Sequence, residues 1–385
     1  MPAPVYLDHA ATTPVRPEVM EAMAPFFGPR FGNPSSVHRW GREARTALDE
    51  ARERMARTLG ARADEIIFTS CGTEADNLAL LGAWRALRKD RPAIVTTPIE
   101  HKAILAAAHR VAAEGGEERL LAVDENGIVD VASFDAKVDE RAAVVSVMWV
   151  NNEIGVVQPI ADFGARSKAR GALFHTDAVQ AFGKFPIDMA QLPVDLLTIS
   201  GHKIGAPKGI AALFVRRGVR LDPLMHGGDQ DRGRRPGTEN VAFAVGLARA
   251  AELAVEEREE ECRRLSQLRD RLESALMERI PDAVVHGRGA QRAPHILNVS
   301  VAGVDSESML MALDLQGVAC SAGSACQSGS VSPSHVLSAM GVSLELATSA
   351  IRMSLGGLTS DADITRVAEL FPALIQKARR LAGQT

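Results

Sequence analysis

From about residue 60 to 215, short runs of β-branched and apolar residues alternate with stretches whose apolar positions recur every three or four residues. The runs are Glu65 to Thr69, Ala93 to Thr97, Ala143 to Val150, Ala172 to His175, Val194 to Ile199 and Ile210 to Val215. Between them the spacing predicts helices over 73–88, 101–114 and 159–170. Nearly continuous apolar runs fit strands buried on both faces. Their alternation with helices predicts a parallel sheet covered on both sides, so the class is α/β.

The pattern then changes. Val255 to Glu278 is heavily charged, containing Glu256-Glu257-Arg258-Glu259-Glu260-Glu261, and reads as an exposed helix with a solvated face. After it, strand-like His295 to Val301, helical Ser306 to Leu315, strand-like Ile351 to Leu355 and a final helix over about 361–381 predict a smaller α+β unit. The expected organisation is a large α/β domain over 15–260 and a small α+β domain made of 1–14 and 261–385.

At 385 residues the chain is long enough for two packed domains. Apolar residues at 46% and charged residues at 24% are ordinary globular values, which sets aside disordered, collagenous and disulfide-rich secreted classes. The net charge is only -4 and the basic residues are scattered, so no nucleic-acid or anionic-lipid partner is expected, and a small molecule becomes the default ligand. The short basic run Arg232-Gly233-Arg234-Arg235 reads as a solvated loop. Met1 to Val5 lacks the charged and apolar regions of a leader, and no apolar run is long enough to cross a bilayer, so a cytoplasmic protein with no membrane contact is expected. The ten histidines form no HExxH pattern and Gly205 to Gly209 lacks P-loop spacing, so neither a metal nor a nucleotide is expected. Cys71, Cys262, Cys320 and Cys326 are too few and too irregular for a disulfide framework, which leaves individual thiols as the question.

Three segments carry candidate chemistry. Ser70-Cys71-Gly72-Thr73-Glu74-Ala75-Asp76 follows a strand and opens a helix, with Thr73 and Asp76 spaced as a capping box. Free N–H groups and the positive end of the helix dipole make such a turn a phosphate site, although a plain capped helix has the same spacing. In Ser200-Gly201-His202-Lys203-Ile204-Gly205 a lysine stands just beyond a buried strand, placed for Schiff-base chemistry or else simply on the surface. In His175-Thr176-Asp177-Ala178-Val179-Gln180 a strand ends in a carboxylate that would keep a pyridine nitrogen protonated, or would serve as an N-cap.

Together these segments resemble the fold-type I pyridoxal-phosphate enzymes of the class V aminotransferase group, and more narrowly the cysteine desulfurases of the NifS and IscS kind. The resemblance runs nearly end to end, through Tyr6-Leu7-Asp8-His9-Ala10-Ala11-Thr12-Thr13, Gly32-Asn33-Pro34-Ser35-Ser36, Glu100-His101-Lys102, Asn151-Asn152-Glu153-Ile154-Gly155 and Arg235-Pro236-Gly237-Thr238-Glu239-Asn240. It implies a large, mostly parallel sheet of seven strands and pyridoxal 5'-phosphate as cofactor, with Lys203 as its covalent anchor. Asp177 would pair with the pyridine nitrogen, Gln180 and Asn152 would border the phenolic oxygen, and His101 would stack on the ring and carry protons. Gly72, Thr73, Ser200 and His202 would hold the phosphate. Thr238 would reach the phosphate bound by a second copy, which implies a homodimer. Arg352, with Asn33, would clamp the carboxylate of the substrate, L-cysteine.

One departure stands in the phosphate loop, where Cys71 occupies a position expected to hold glycine or another small residue; it reads as a buried small hydrophobe. Cys320 reads as packing at a strand end. Cys326 lies in Cys320-Ser321-Ala322-Gly323-Ser324-Ala325-Cys326-Gln327-Ser328-Gly329-Ser330, a run of small residues that lets a thiol move. Ser324-Ala325-Cys326 and Pro333-Ser334-His335 resemble the desulfurase loop. The resemblance implies that Cys326 takes sulfur from cysteine as a persulfide, leaves alanine, and passes the sulfur to an acceptor protein such as an iron–sulfur scaffold. Neighbouring readings are a selenocysteine lyase, a class V aminotransferase, which needs no mobile thiol, and a non-catalytic sulfur-relay scaffold.

Overall fold

The computed structural model of the chain describes residues 3–322 and 333–381. Its centre is a seven-stranded sheet in the spatial order Ile66–Thr69, Ala211–Val215, Leu196–Ser200, Leu173–Asp177, Ala142–Ser146, Ala93–Thr96, Glu117–Leu120. Ala211–Val215 runs antiparallel to both its neighbours, and the other pairings are parallel. Both faces are covered. Ile66 and Phe68 enter one core while Ile67 enters the other, and Leu197 and Ile199 separate from Leu196 in the same way. Alternate residues of one strand therefore feed two hydrophobic layers, which is why the runs look continuously apolar.

One layer packs against the helices Arg39–Thr58 and Val241–Glu256, the other against Lys102–Ala113 and the helix that begins at Gly72. That last helix extends to Leu87 with one wider π-helical turn over Leu78–Gly82. The helix predicted over 101–114 spans Lys102–Ala113 and that over 159–170 spans Ile160–Ala169. Several elements had no counterpart in the sequence pattern, among them a strand and a long helix. The strand Glu117–Leu120 is polar because it lies at the sheet's edge. The helix Arg39–Thr58 buries a stripe of Gly41, Ala44, Ala47, Leu48, Ala51 and Met55, mostly too small to stand out.

The charged stretch after Val255 differs from its predicted role. It divides at Glu257 into the end of Val241–Glu256 and the start of Arg258–Arg279. Glu259 and Glu260 are exposed, but Leu265, Leu268, Leu272 and Leu276 are buried in a second core, so the helix is a structural wall and not a solvated connection. That core lies beside a small antiparallel sheet ordered Ser321–Ala322, Ile351–Ser354, Ile296–Ser300, Val284–Val285, and it includes side chains of the helices Ser306–Leu315 and Asp361–Leu381. Near the amino terminus Val5–Tyr6 pairs in parallel with Val318–Ala319 and carries the chain toward the edge of the large sheet. Among the described residues no helix is long and apolar enough to cross a membrane.

Candidate active site

The parallel strands present their carboxyl ends at one edge, where open α/β sheets bind ligands. Gly72, Asp177 and Ser200 follow or close three of them. A Cβ added at Gly72 would lie 3.4 Å from Ser200 Cβ and 3.6 Å from Val179 Cγ2, so the loops after these three strands converge on one small concavity. Glycine leaves that space free for a ligand.

The helix at this concavity is capped differently from the prediction. Cys71 is its N-cap, with Sγ accepting from the Glu74 N–H at 3.4 Å, and Ser70 N–H donates to Glu74 Oε2 at 2.7 Å. The N-cap is therefore Cys71, two positions before Thr73, and Glu74 takes the N–H of the residue that precedes the cap. Arg235 holds Glu74 from the far side at 2.8 Å. Cys71 is exposed, not the buried hydrophobe expected, because a capping side chain must stay beside the free N–H groups. Thr73 is exposed on the first turn, while Asp76 is buried.

Lys203 ends a single tight turn, Gly201–Lys203, directly after the buried strand Leu196–Ser200. Its Nζ donates to the carbonyls of Ala10 and Ala11 at 2.6 and 2.7 Å, which ties the amino-terminal segment over the sheet edge. Burial, followed by the nearby Arg352 cation, pushes this amine down to about 8, against the pull of Asp177 and Asp8. Thr13 reinforces the same junction: its hydroxyl donates to the His202 carbonyl at 3.0 Å and accepts from Gly205 N–H at 2.9 Å. The His202 ring faces Thr12 Oγ1 at 3.1 Å, and burial pushes it down to about 4, so it is a neutral imidazole.

Asp177 is buried at the end of its strand, and its Oδ1 accepts from Val179 N–H at 2.8 Å. Burial raises its proton affinity while His101 and Lys203 oppose that effect. His101 caps the helix Lys102–Ala113 through Nδ1, which accepts from Ala103 N–H at 3.2 Å. The residue keeps an open side to solvent although surrounding atoms crowd the ring and lower its proton affinity. Gln180 is committed within the chain: Nε2 donates to the Ala10 carbonyl at 3.0 Å and Oε1 pairs with His295 Nε2 at 3.1 Å. Asn152 contributes its carbonyl to Arg352 Nη1 at 3.0 Å.

Some predicted groups are not brought to this cluster. Asn33 is exposed, with Oδ1 accepting from Ser35 N–H at 2.9 Å in its own turn, and no hydrogen bond joins it to Arg352. Thr238 is exposed in the loop before Val241–Glu256, with no hydrogen bond to the Gly72 concavity among the described residues. Cys326 lies outside the described residues. The chain on either side of that segment reaches the site. Ser321 pairs in register with Arg352, and His335 Nε2 donates to the Glu100 carbonyl at 2.9 Å.

Three site residues had no role assigned from sequence, and a fourth, Asp76, had only a capping role. Asp8 pairs with Arg352. Glu100 accepts from Met148 N–H and the Thr97 hydroxyl, both at 2.9 Å, and its burial pushes it up to about 8. His335 bridges to Glu100, and Asp76 lies beneath the cradle. For Asp8, Glu100 and His335 the available signal was their place inside or beside recognisable segments.

Comparison with known proteins places the whole chain in one family. The model of the family described as aminotransferase class-V matches residues 5–367. The chain is 46% identical over 378 residues to the protein named cysteine desulfurase IscS of Dictyoglomus turgidum, covering 98% of this chain and 96% of that one. It is 43% identical over 381 residues to cysteine desulfurase NifS of Azotobacter vinelandii, covering 99% and 94%. Among solved structures, one described as a NifS-like protein superposes with a TM-score of 0.91 at 36% identity, covering 97% of this chain and 100% of that one. A NifS-like protein from Rickettsia africae superposes at 0.88 and 32%, covering 97% and 99%.

Proposed function

The chain belongs to the aminotransferase class-V family, among the cysteine desulfurases of the IscS and NifS kind, and we propose that its site uses pyridoxal 5'-phosphate to take sulfur from L-cysteine onto Cys326, leaving L-alanine. The observation that carries this reading is the meeting of Lys203, Asp177 and the Gly72–Ser200 concavity at one sheet edge.

These residues fit the cofactor. A lysine amine with lowered proton affinity, a buried carboxylate facing that lysine and a glycine-lined cradle at a helix start match an aldehyde, a pyridine nitrogen and a phosphate. Gly72, Thr73, Ser200 and His202 would hold the phosphate, His101 would cover the ring, and Asn152 and Gln180 would lie beside its phenolic oxygen. When bound, pyridoxal phosphate supplies an electron sink for the electrons left on the substrate's α-carbon.

The chain's own groups do the rest. Arg352 holds the substrate carboxylate with a planar fork. Lys203 would tether the cofactor and, when free, would remove the substrate's α-proton. Its amine is suited to this because burial brings it near neutral pH. His101 would carry a proton within the site. The Cys326 thiolate attacks the substrate sulfur, so that one C–S bond breaks, one S–S bond forms, and cysteine plus thiol become alanine plus persulfide. Ser321 and His335, on either side of the Cys326 segment, both contact site elements, which supports a thiol within reach. A homodimer in which Thr238 meets the other copy's phosphate accounts for the exposed position of that residue. The sulfur then passes to an acceptor protein such as an iron–sulfur scaffold.

The deciding experiment combines a visible spectrum with a cysteine-to-alanine assay and mass detection of the thiol. Cys326→Ala should keep the lysine-bound chromophore yet form no persulfide, and Lys203→Ala should lose the chromophore. Release of sulfur from cysteine by Cys326→Ala at the native rate would remove the carrier role.

A further inference from the structure

Beneath the Gly72 concavity two carboxyl groups are shut away together. Asp76 is 1% exposed and Asp177 5% exposed, and each feels the burial that disfavours its charge. Asp177 repels a charge on Asp76, and Glu100 adds to that repulsion. Two buried carboxyls in one low-dielectric site do not both ionise, and the local donors decide which one does.

The donors favour Asp177. Its Oδ1 receives the Val179 N–H at 2.8 Å, and the neighbouring His101 and Lys203 side chains favour its charged form. Asp76 Oδ1 is buried with no hydrogen-bond partner, and the Thr198 side chain is the one contact that favours a charge on Asp76, against burial and the repulsion of Asp177, Glu100 and Cys71. The imidazole beside it, His175, keeps Nε2 3.7 Å away, too far for a hydrogen bond. That ring is fully buried and pushed down to about 3, so it offers no cation. Both its nitrogens are already engaged, Nδ1 with Ser146 Oγ at 2.8 Å and Nε2 with Thr198 Oγ1 at 3.1 Å. The remaining titratable neighbour, Cys71, would add only negative charge.

We propose that Asp76 is a buried neutral carboxylic acid, a positioning residue that leaves the single negative charge of the pair on Asp177. The inference rests on the reading of Asp177 as the partner of the cofactor's pyridine nitrogen. A proton on Asp76 also gives the hydrogen-bond chain one direction. Asp76 donates to Thr198, Thr198 to His175 Nε2, and His175 Nδ1–H to Ser146 Oγ. The helix that opens the phosphate cradle is thereby fastened to three neighbouring strands, Ala142–Ser146, Leu173–Asp177 and Leu196–Ser200, by groups with no charge of their own.

The test is an infrared difference spectrum of Asp76→Asn against the native protein at neutral pH, taken with and without cofactor, with Glu100→Gln as a separate reference for the other buried acid. Loss of a protonated-carboxyl C=O band on Asp76→Asn is expected, together with an unchanged pH titration of the chromophore. Turnover should stay within about threefold, because the amide keeps a neutral donor in the same place. Loss of ionised-carboxylate bands instead, or a moved chromophore titration, overturns the proposal. Asp76→Leu, which has no donor, should weaken cofactor retention by about tenfold or more by stranding the Thr198 and His175 chain; native retention would remove the positioning role. The cofactor-free infrared measurement reads the proton on Asp76 even if the functional reading itself fails.

Discussion

Arg352 and Asp8 form a partly buried ion pair, Nη2 to Oδ1 at 2.8 Å, across 344 positions of sequence. The same guanidinium gives Nη1 to the Asn152 carbonyl at 3.0 Å, while its Nε is buried without a partner. An incoming substrate carboxylate therefore meets a guanidinium already fixed in orientation. Such preorganisation keeps the side-chain entropy cost out of the binding step. Arg352→Lys keeps the charge and loses the planar fork. We expect KM for cysteine to rise about 100-fold, roughly one charge-assisted hydrogen bond's worth, with kcat changed far less. Steady-state kinetics check this, and an unchanged KM would mean that the carboxylate binds elsewhere.

Lys203 makes a second expectation, on stability. Folding lowers its amine from 10.5 to about 8, chiefly by burial. Between those values the unfolded chain binds more protons than the folded one, so the stability of the cofactor-free protein rises with pH through that window. Below about 8 the cost of burying the cation is constant. Lys203→Met removes the charge. Its thermal midpoint should exceed that of the native apo protein at pH 7, and the difference should shrink toward pH 10. A difference independent of pH would show that the buried amine titrates normally.

Much of this site was legible for identifiable physical reasons. The central strands stand out because both faces are buried, and Lys203 and Asp177 stand out because they directly follow or close such strands. Glu117–Leu120 escaped because an edge strand is free to be polar, and its Arg119 forms ion pairs with Glu117 and Asp139. The cap was misplaced by two positions because a thiol is not among the usual N-cap side chains, so Thr73 drew attention away from Cys71. Asp8 with Arg352, and Asp76 with His175, depend on pairings between distant segments that no local spacing records. Burial of Asp76 in particular overturns the usual expectation that an aspartate on a helix's first turns faces water.

Glu100 carries a pH dependence of opposite sign to that of Lys203. It is completely buried, and desolvation lifts it from 4.5 to about 8 despite the donors Met148 N–H and Thr97 Oγ1–H. Between those values the folded chain holds the extra proton, so stability falls as pH rises through that window. Glu100→Gln preserves the acceptor for both donors without a titration. The variant should be more stable than the native apo protein at pH 9 and nearly equal to it below pH 4.5, as read from denaturant midpoints. A native-like fall of stability in Glu100→Gln would assign that pH dependence to another group.

The described cysteines differ sharply in setting, and alkylation should separate them. Cys320 packs against the smaller core just beyond Val318–Ala319, and burial pushes its thiol up to about 12. That lowers its thiolate fraction about a thousandfold from the ordinary value near 9. Cys262 is half-buried, its Sγ donating to the Lys184 carbonyl at 3.3 Å, and burial raises it too. Cys71 alone among these three is exposed, at the mouth of the phosphate cradle. In a Cys326→Ala background without cofactor, iodoacetamide at pH 8 should modify Cys71 first and leave Cys320 intact until the chain is unfolded. Peptide mass mapping over a time course reads the order directly. Early labelling of Cys320 would mean that the strand end opens readily, and a sulfur carrier at position 326 would then have a competing thiol six residues away.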